Sequence, residues 1–217
     1  EVDARRLGVF GSGGTGGGHA VMVAGLDARV RAAVAQNPVA DGRDWLRRMR
    51  REGEWFEFLE RLRVDRHRRV TTGESEIVSP RTDIQIASSE LKSSGVKSDL
   101  ASREASGVAL ASADAIMAYR PLDVVDRIAP RALMLVCVEN DPVTPEEHAY
   151  QLYERARGPK RLIVQTQTTH YAAYAHYQPV VNPLIVEWYQ RHLVSGEVLV
   201  HEQEPEAEVR MLWRPTS

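Results

Sequence analysis

Residues 7–18 read Leu-Gly-Val-Phe-Gly-Ser-Gly-Gly-Thr-Gly-Gly-Gly, a short apolar run that breaks into a glycine tract. Such a run is typical of a buried strand that ends in a tight turn. Residues 19–26 follow and are apolar on nearly every side, which predicts a helix covered by other elements. We therefore expect a strand, a turn and a buried helix in direct succession.

Two unrelated chemistries use a glycine-rich turn between a strand and a helix. The first is dinucleotide binding, because Gly11, Gly13 and Gly16 fit the spacing G-x-G-x-x-G. That fold also needs an acidic residue at the end of the next strand to hold the ribose. The next predicted strand, residues 29–36, is followed by Asn37 and a proline instead. Dinucleotide binding is therefore the less favoured interpretation.

The second chemistry is nucleophilic catalysis at a strand-to-helix elbow of the form Gly-x-nucleophile-x-Gly. Residues 13–17 match it with Thr15 where serine is usual, and the N–H of Gly16 would then stabilise an oxyanion. Ser12 is a second candidate for the attacking hydroxyl. Counting from the strand instead puts Gly13 at the nucleophile position and leaves none. A turn that serves only close packing of strand and helix is a further alternative.

An acid and a histidine follow two later strands. Residues 132–138 and 161–166 are predicted strands, each followed by a helix, and this alternation indicates a parallel sheet. Asp141 comes just after the first of these strands and His170 just after the second. Because the carboxyl ends of parallel strands share one edge of a sheet, both side chains should converge on the glycine turn. The order nucleophile, acid, histidine is that of a hydrolase triad.

These features together resemble the α/β-hydrolase superfamily, in particular its dienelactone-hydrolase-like and Xaa-Pro-peptidase-like (cocaine-esterase-like) branches. The resemblance covers residues 6–20, 26–34, 121–153 and 159–193. It implies a doubly wound, mostly parallel sheet and a triad in which Asp141 orients His170. The chain departs from the family at the elbow, where serine is usual. It also lacks the strands that normally precede the elbow strand, so we expect a missing N-terminal half or a partner chain, and a homo-oligomer is an alternative.

The hydrolase-like segments, residues 1–41 and 121–194, flank a predicted insertion at 42–120, and residues 195–217 form an acidic tail expected to be exposed or loosely packed. The insertion begins with a charged helical stretch whose arginines we expect mostly to form ion pairs on a solvated face. Its Trp45, Trp55 and Phe56 are candidates for the wall of a substrate pocket. The Ser- and Thr-rich part from 71 to 111 is consistent with a lid.

Composition excludes several other classes of function. The 217 residues carry a net charge of −2, which argues against nucleic-acid binding, and the apolar runs are too short to span a membrane. Cys137 is the single cysteine, so no internal disulfide or thiolate metal cluster is expected, and the histidines show no metal-ligand spacing. We expect a cytoplasmic protein that needs no cofactor.

The sequence thus predicts a hydrolase that acts on a small-molecule ester, amide or other acyl compound. Thr15 or Ser12 would attack to form an acyl-enzyme, while His170 transfers the proton and Asp141 stabilises the imidazolium. The alternative is a hydrolase-fold protein that has lost its nucleophile and serves as a binding or assembly subunit.

Overall fold

A parallel β-sheet organises the part of the chain that carries the glycine turn, Asp141 and His170. The computed structural model describes residues 3–86, 107–194 and 207–213, which divide into one unit made of residues up to 40 and from 121 onward, and a second unit at 41–120. Within these residues the strands are β1 (Leu7–Ser12), β2 (Val30–Gln36), β3 (Ile77–Val78), β4 (Val108–Ala109), β5 (Ala132–Val138), β6 (Lys160–Gln165) and β7 (Ala207–Leu212).

The helices alternate with these strands along the chain. They are α1 (Gly14–Leu26), α2 (Gly42–Arg48), α3 (Glu52–Thr72), α4 (Ala111–Ala118), α5 (Glu147–Arg155), α6 (His170–His176) and α7 (Gln178–Tyr189). Short 3₁₀ turns at Pro121–Asp123 and Val125–Ile128 lead into β5, and π-helical turns lie at Pro80–Ile84 and Gln190–Val194.

The sheet of the first unit has the order β1-β2-β5-β6-β7 in the described residues, and every neighbouring pair in it is parallel. All seven residues of β5 are buried. Its alternate side chains lie in two separate cores: Leu133, Leu135 and Cys137 pack on the side of α1 and α5, whereas Met134 and Val136 pack on the side of α6 and α7. Helices therefore cover both faces, which confirms the predicted doubly wound fold.

No described strand pairs with the outer edge of β1 in this unit. β1 is an edge strand, and Phe10 at its centre is 51% exposed. On the neighbouring helix α1, Val23 and Leu26 are 45% and 61% exposed, although the helix carries no charged residue in its first or last turn. The expectation that α1 is covered on all sides is therefore wrong: part of an apolar helix faces solvent beside an unpaired strand edge.

The acidic tail corrects a second expectation. Residues 207–212 form β7, which pairs in parallel with β6 from Lys160↔Ala207 to Gln165↔Leu212. The part of the tail that the structure describes is thus an edge strand of the sheet rather than a loosely packed segment. Val209 and Met211 on β7 are 56% and 41% exposed, so the expected exposure of the tail holds for this strand.

The insertion consists of α2, α3, the β3–β4 pair and α4, and its described arginines largely pair with acids of the same unit. Arg61 binds Glu76 at 2.5 Å and Asp83 at 2.8 Å, and Arg69 lies 3.0 Å from Asp65. The predicted ion pairs therefore account for these arginines without any ligand. Of the Ser- and Thr-rich stretch from 71 to 111 considered as a lid, residues 87–106 lie outside the described part of the chain, and the remainder includes β3 and β4.

The buried centre of the insertion is the carboxylate of Asp65, whose side chain is 1% exposed. It accepts hydrogen bonds from the backbone N–H of Glu76 at 2.7 Å and from the Ser75 hydroxyl at 3.0 Å. Burial by itself would raise the pKa of Asp65, but these hydrogen bonds and the nearby Arg69 outweigh it and hold the pKa below its usual range. This carboxylate therefore ties α3 to the segment that follows it.

Candidate functional site

Asp141 is fixed by the turn that follows β5. Its side chain is fully buried, and Oδ1 accepts hydrogen bonds from the backbone N–H groups of Val143 at 2.7 Å and Thr144 at 3.0 Å. This leaves the second oxygen, Oδ2, to face the neighbouring loop. The local sequence Asp-Pro-Val-Thr suits such a turn, since an aspartate side chain readily accepts from backbone groups two and three residues ahead.

His170 begins α6, directly after the loop that follows β6, and its ring meets Asp141. Nδ1 of His170 lies 2.6 Å from Oδ2 of Asp141, and the His170 side chain is 5% exposed. A carboxylate at this distance accepts the proton on Nδ1, which leaves the lone pair on Nε2. Nε2 forms no hydrogen bond with any residue that the structure describes. The pair has the arrangement of a histidine general base held in one tautomer by an acid.

The glycine turn has its bend at Gly13. β1 ends at Ser12 and α1 begins at Gly14, while Gly13 between them has φ 77° and ψ 164°. The first bond of the helix runs from the N–H of Gly17 to the carbonyl of Gly13 at 2.6 Å. Only glycine adopts such a backbone conformation without strain.

The flanking glycines serve close packing. A Cβ on Gly11 would lie 2.0 Å from the carbonyl oxygen of Gly16, and one on Gly17 would lie 2.6 Å from that of Gln36. Neither position has room for a side chain. At Gly13 the nearest atom to an added Cβ is the Tyr174 hydroxyl at 4.0 Å. The bend therefore has open space beside Gly13, although its positive φ would strain any other residue there.

The two predicted hydroxyls lie on either side of this bend. Ser12 is the last residue of β1, and its Oγ is 3.3 Å from Oε1 of Gln36 on β2. Thr15 is the second residue of α1, and neither it nor Ser12 is among the described residues with positive φ. Gly16, the predicted oxyanion donor, lies in the first helical turn as well. The geometry favours the register that counts from the strand, in which Gly13 stands at the nucleophile position.

Sequence reasoning missed Asn37 and Tyr174. Asn37 follows β2, is 1% exposed and has φ 50°. Its Nδ2 donates to the Tyr174 hydroxyl at 3.1 Å, and the Tyr174 ring packs edge-on against His170 with 5.7 Å between ring centroids. Tyr174 therefore links the histidine to the glycine bend. A usable signal was present, because His170 and Tyr174 are four residues apart on one helix and so share a face.

The aromatic candidates of the insertion differ in accessibility. Trp45 and Trp55 are 5% and 6% exposed, and Trp55 packs against Phe58 and Arg43 of the same unit. Only Phe56, at 61% exposed, presents an open aromatic surface. A role of the two tryptophans in a substrate pocket stays a prediction, but both are buried and the described contacts of Trp55 are those of a local core.

The described residues offer neither a metal site nor a membrane-spanning helix. They contain no group of three or more His, Cys, Asp or Glu side chains placed to hold a metal ion. No helix among them combines the length and the apolar character that crossing a bilayer requires. Cys137 lies in the core beneath the sheet, where burial raises the pKa of its thiol, so it is no candidate nucleophile.

Known structures share this fold. The chain is similar to an alpha/beta hydrolase from Penicillium sp. sh18 (20% identity, TM-score 0.69, covering 88% of this chain and 65% of that one). It is also similar to a hypothetical protein from Pseudomonas aeruginosa (20%, 0.70, 89% and 63%). A monoacylglycerol lipase from Paleococcus ferrophilus matches with 17% identity, a TM-score of 0.57 and coverage of 84% and 67%. No protein-family model and no curated protein matches the chain.

These likenesses establish an α/β-hydrolase-type fold and no particular substrate. The chain spans less than two thirds of the length of the first two structures, 65% and 63%.

Proposed function

We propose that the protein hydrolyses an ester, amide or other acyl bond of a small molecule, with His170 and Asp141 as its acid–base pair. The observation that carries this proposal is the contact of 2.6 Å between His170 Nδ1 and Asp141 Oδ2, both buried, beside a glycine elbow. A buried histidine that bonds a buried acid through Nδ1 has its other nitrogen ready to accept a proton.

In this chemistry His170 takes a proton from the attacking group and later returns it to the leaving group. Asp141 keeps Nδ1 protonated and stabilises the imidazolium that forms between the two transfers. Attack by the hydroxyl of Thr15 or Ser12, with an acyl-enzyme intermediate, stays a prediction from the sequence. The N–H groups of Gly14 and Gly16 in the first turn of α1 have no acceptor within the helix and are candidates to stabilise the oxyanion.

A binding or assembly subunit without catalysis is the second candidate. The observation that favours it is Gly13, because a glycine at the bend supplies no side-chain nucleophile. In that case a ligand would still enter the space beside Tyr174 and His170 but would leave unchanged.

The test is hydrolysis of an activated acyl ester, such as p-nitrophenyl acetate, by the parent and by His170→Ala. We expect His170→Ala to lower kcat/KM by about 10⁴-fold, as loss of a triad member does. His176→Ala is the matched control, since His176 lies on the same helix but is exposed. Added imidazole should restore part of the activity of His170→Ala and leave the control unchanged.

Two results would count against the proposal. If His170→Ala and His176→Ala hydrolyse the ester as fast as the parent, the activity does not arise at this site. If the parent does not hydrolyse any of a panel of activated esters and amides, the binding-subunit candidate is favoured instead.

A further inference from the structure

We propose that the group attacking the acyl carbon is a water molecule that occupies the space beside Gly13, so that hydrolysis proceeds without an acyl-enzyme. This inference rests on the proposed function and concerns the same site. Three observations carry it: Gly13 has no side chain, the Tyr174 hydroxyl has a proton to donate, and Ser12 and Thr15 lie beside the bend rather than at it.

The first step concerns space. A side chain on Gly13 would meet only the Tyr174 hydroxyl, 4.0 Å from the added Cβ, whereas side chains on Gly11 and Gly17 would overlap backbone atoms. Packing therefore closes the turn at Gly11 and Gly17, whereas the bend at Gly13 is open, as is the position of Gly16. A solvent molecule can occupy this opening, in the place where a nucleophilic side chain would project.

The second step concerns hydrogen bonds. The Tyr174 hydroxyl already accepts from Nδ2 of Asn37 at 3.1 Å, so its own proton is available to another acceptor. His170 supplies the complementary group, because Nε2 carries a lone pair when Nδ1 donates to Asp141. The Tyr174 hydroxyl thus borders the opening, and the ring of the base His170 packs edge-on against the Tyr174 ring.

The third step concerns the competing hydroxyls. Ser12 belongs to the strand and its Oγ contacts Gln36 at 3.3 Å, so its side chain is engaged with β2. Thr15 lies past the bend, within the first turn of α1. Neither side chain starts from the residue at which the backbone turns, which is the position that aims a nucleophile in an elbow.

The reaction balances with water as the only co-reactant. The water oxygen bonds to the acyl carbon while His170 Nε2 takes one of its protons, and the carbonyl oxygen becomes an oxyanion that accepts a hydrogen bond from Tyr174. The bond from carbon to the leaving group then breaks, and His170 returns the proton to that group. The products are a carboxylic acid and an alcohol or amine.

The decisive measurement is mass spectrometry of the intact protein, quenched within milliseconds of mixing with an activated ester and again during steady turnover. For the parent we expect hydrolysis with no acyl adduct and no burst of product. Gly13→Ser places a hydroxyl at the bend at the cost of backbone strain, and where circular dichroism shows that it folds, it should acquire an adduct on the new serine and a burst.

Tyr174→Phe tests the hydrogen-bond donor. Loss of a donor to the oxyanion should lower kcat by about 10²-fold with little change in KM, whereas a merely structural role would change the melting temperature instead. Circular dichroism shows whether each variant keeps the fold. The test for an acyl adduct needs only the parent protein.

The possible results separate this inference from the function on which it rests. An acyl adduct on Ser12 or Thr15 of the parent overturns attack by water but leaves hydrolysis at His170 in place. An inactive parent with a Gly13→Ser variant that acts only when His170 is present likewise overturns water attack and retains the base. Inactivity of the parent and of a Gly13→Ser variant that keeps the fold overturns the proposed function itself.

Discussion

Replacing Asp141 by asparagine probes the site most directly, because the side chain keeps its size while one oxygen becomes an NH₂ group. Asp141 uses both oxygens: Oδ1 accepts from the N–H groups of Val143 and Thr144, and Oδ2 accepts from His170. An amide satisfies only one of these two sets. If its oxygen stays with the backbone, its NH₂ faces Nδ1 of His170, and the ring must then carry its proton on Nε2.

The magnitude follows from this change of tautomer. A histidine protonated on Nε2 cannot take a proton from the attacking group, and the corresponding change in a serine protease costs about 10⁴-fold in kcat. We expect a loss of the same order here. If the amide instead turns its NH₂ toward the turn, two buried N–H groups lose their acceptor, at about 1–3 kcal/mol of unfolding free energy. Each kcal/mol lowers the melting temperature of a chain of this size by roughly 2–4 °C.

The assay is hydrolysis of an activated ester, with thermal unfolding measured on the same samples. Asp65→Asn is the matched control, since Asp65 is equally buried, likewise accepts backbone and side-chain hydrogen bonds, and lies in the insertion. It should lower the stability of the insertion without a 10⁴-fold loss of hydrolysis. If Asp141→Asn keeps more than about a tenth of the parent's activity with unchanged melting, the tautomer argument is refuted.

Three further outcomes follow from burial, charge and exposure. Because the pKa of Asp65 is depressed in the folded state, the Asp65 carboxylate stabilises the fold above its unfolded pKa of about 3.9 and loses this effect as the pH falls through the folded pKa. The free energy of unfolding should therefore drop below about pH 4, and it should drop less steeply in Asp65→Asn. Urea titrations at several pH values measure both. Cys137, whose buried thiol has a raised pKa, should react with a thiol reagent at pH 8 only as fast as the protein unfolds, and rapid labelling of native protein would contradict its burial. The chain alone should associate or precipitate through the exposed edge at β1 and α1. The double variant Phe10→Lys/Leu26→Lys should reduce this association in analytical ultracentrifugation. A monodisperse parent would count against an interface at this edge.

The convergence of Asp141 and His170 could be predicted from the sequence, because both residues directly follow apolar runs. Parallel strands end at one sheet edge, so the position after each strand is enough to bring two side chains together. The same reasoning identifies the acid, since His170 pairs with Asp141, whereas Glu139 lies closer to the strand and continues the ladder through its N–H to Gln165.

The register of the elbow could not be predicted in this way. A tract of successive glycines fits the motif in several registers, and sequence spacing alone does not show which glycine takes a positive φ. That choice depends on where β1 stops pairing, since Ser12 is the last residue in register with β2 and Gly13 is therefore the residue that turns. The partnership of Asn37 with Tyr174 depends on the same long-range packing and joins residues 137 positions apart.

The position of β7 was unpredictable for a related reason. Residues 207–212 carry alternating charges, which are typical of an exposed segment, and they form a strand because β6 offers an unpaired edge. Helix α5 begins at Glu147, and the N–H of Thr144 ahead of it donates to Asp141.

The way in which the insertion closes its own ends bears on how the sheet assembles. β2 and β5 are neighbours in the sheet, yet the whole insertion separates them along the chain. Within the insertion, the N–H of Gly42 donates to the carbonyl of Tyr119 at 2.9 Å, and Arg120 pairs with Asp41. An insertion that folds early therefore delivers its two ends side by side, and the entropy of closing a long loop is lost before the strands meet. The pairing of β2 with β5 should then be as fast as the pairing of two strands joined by a short connection.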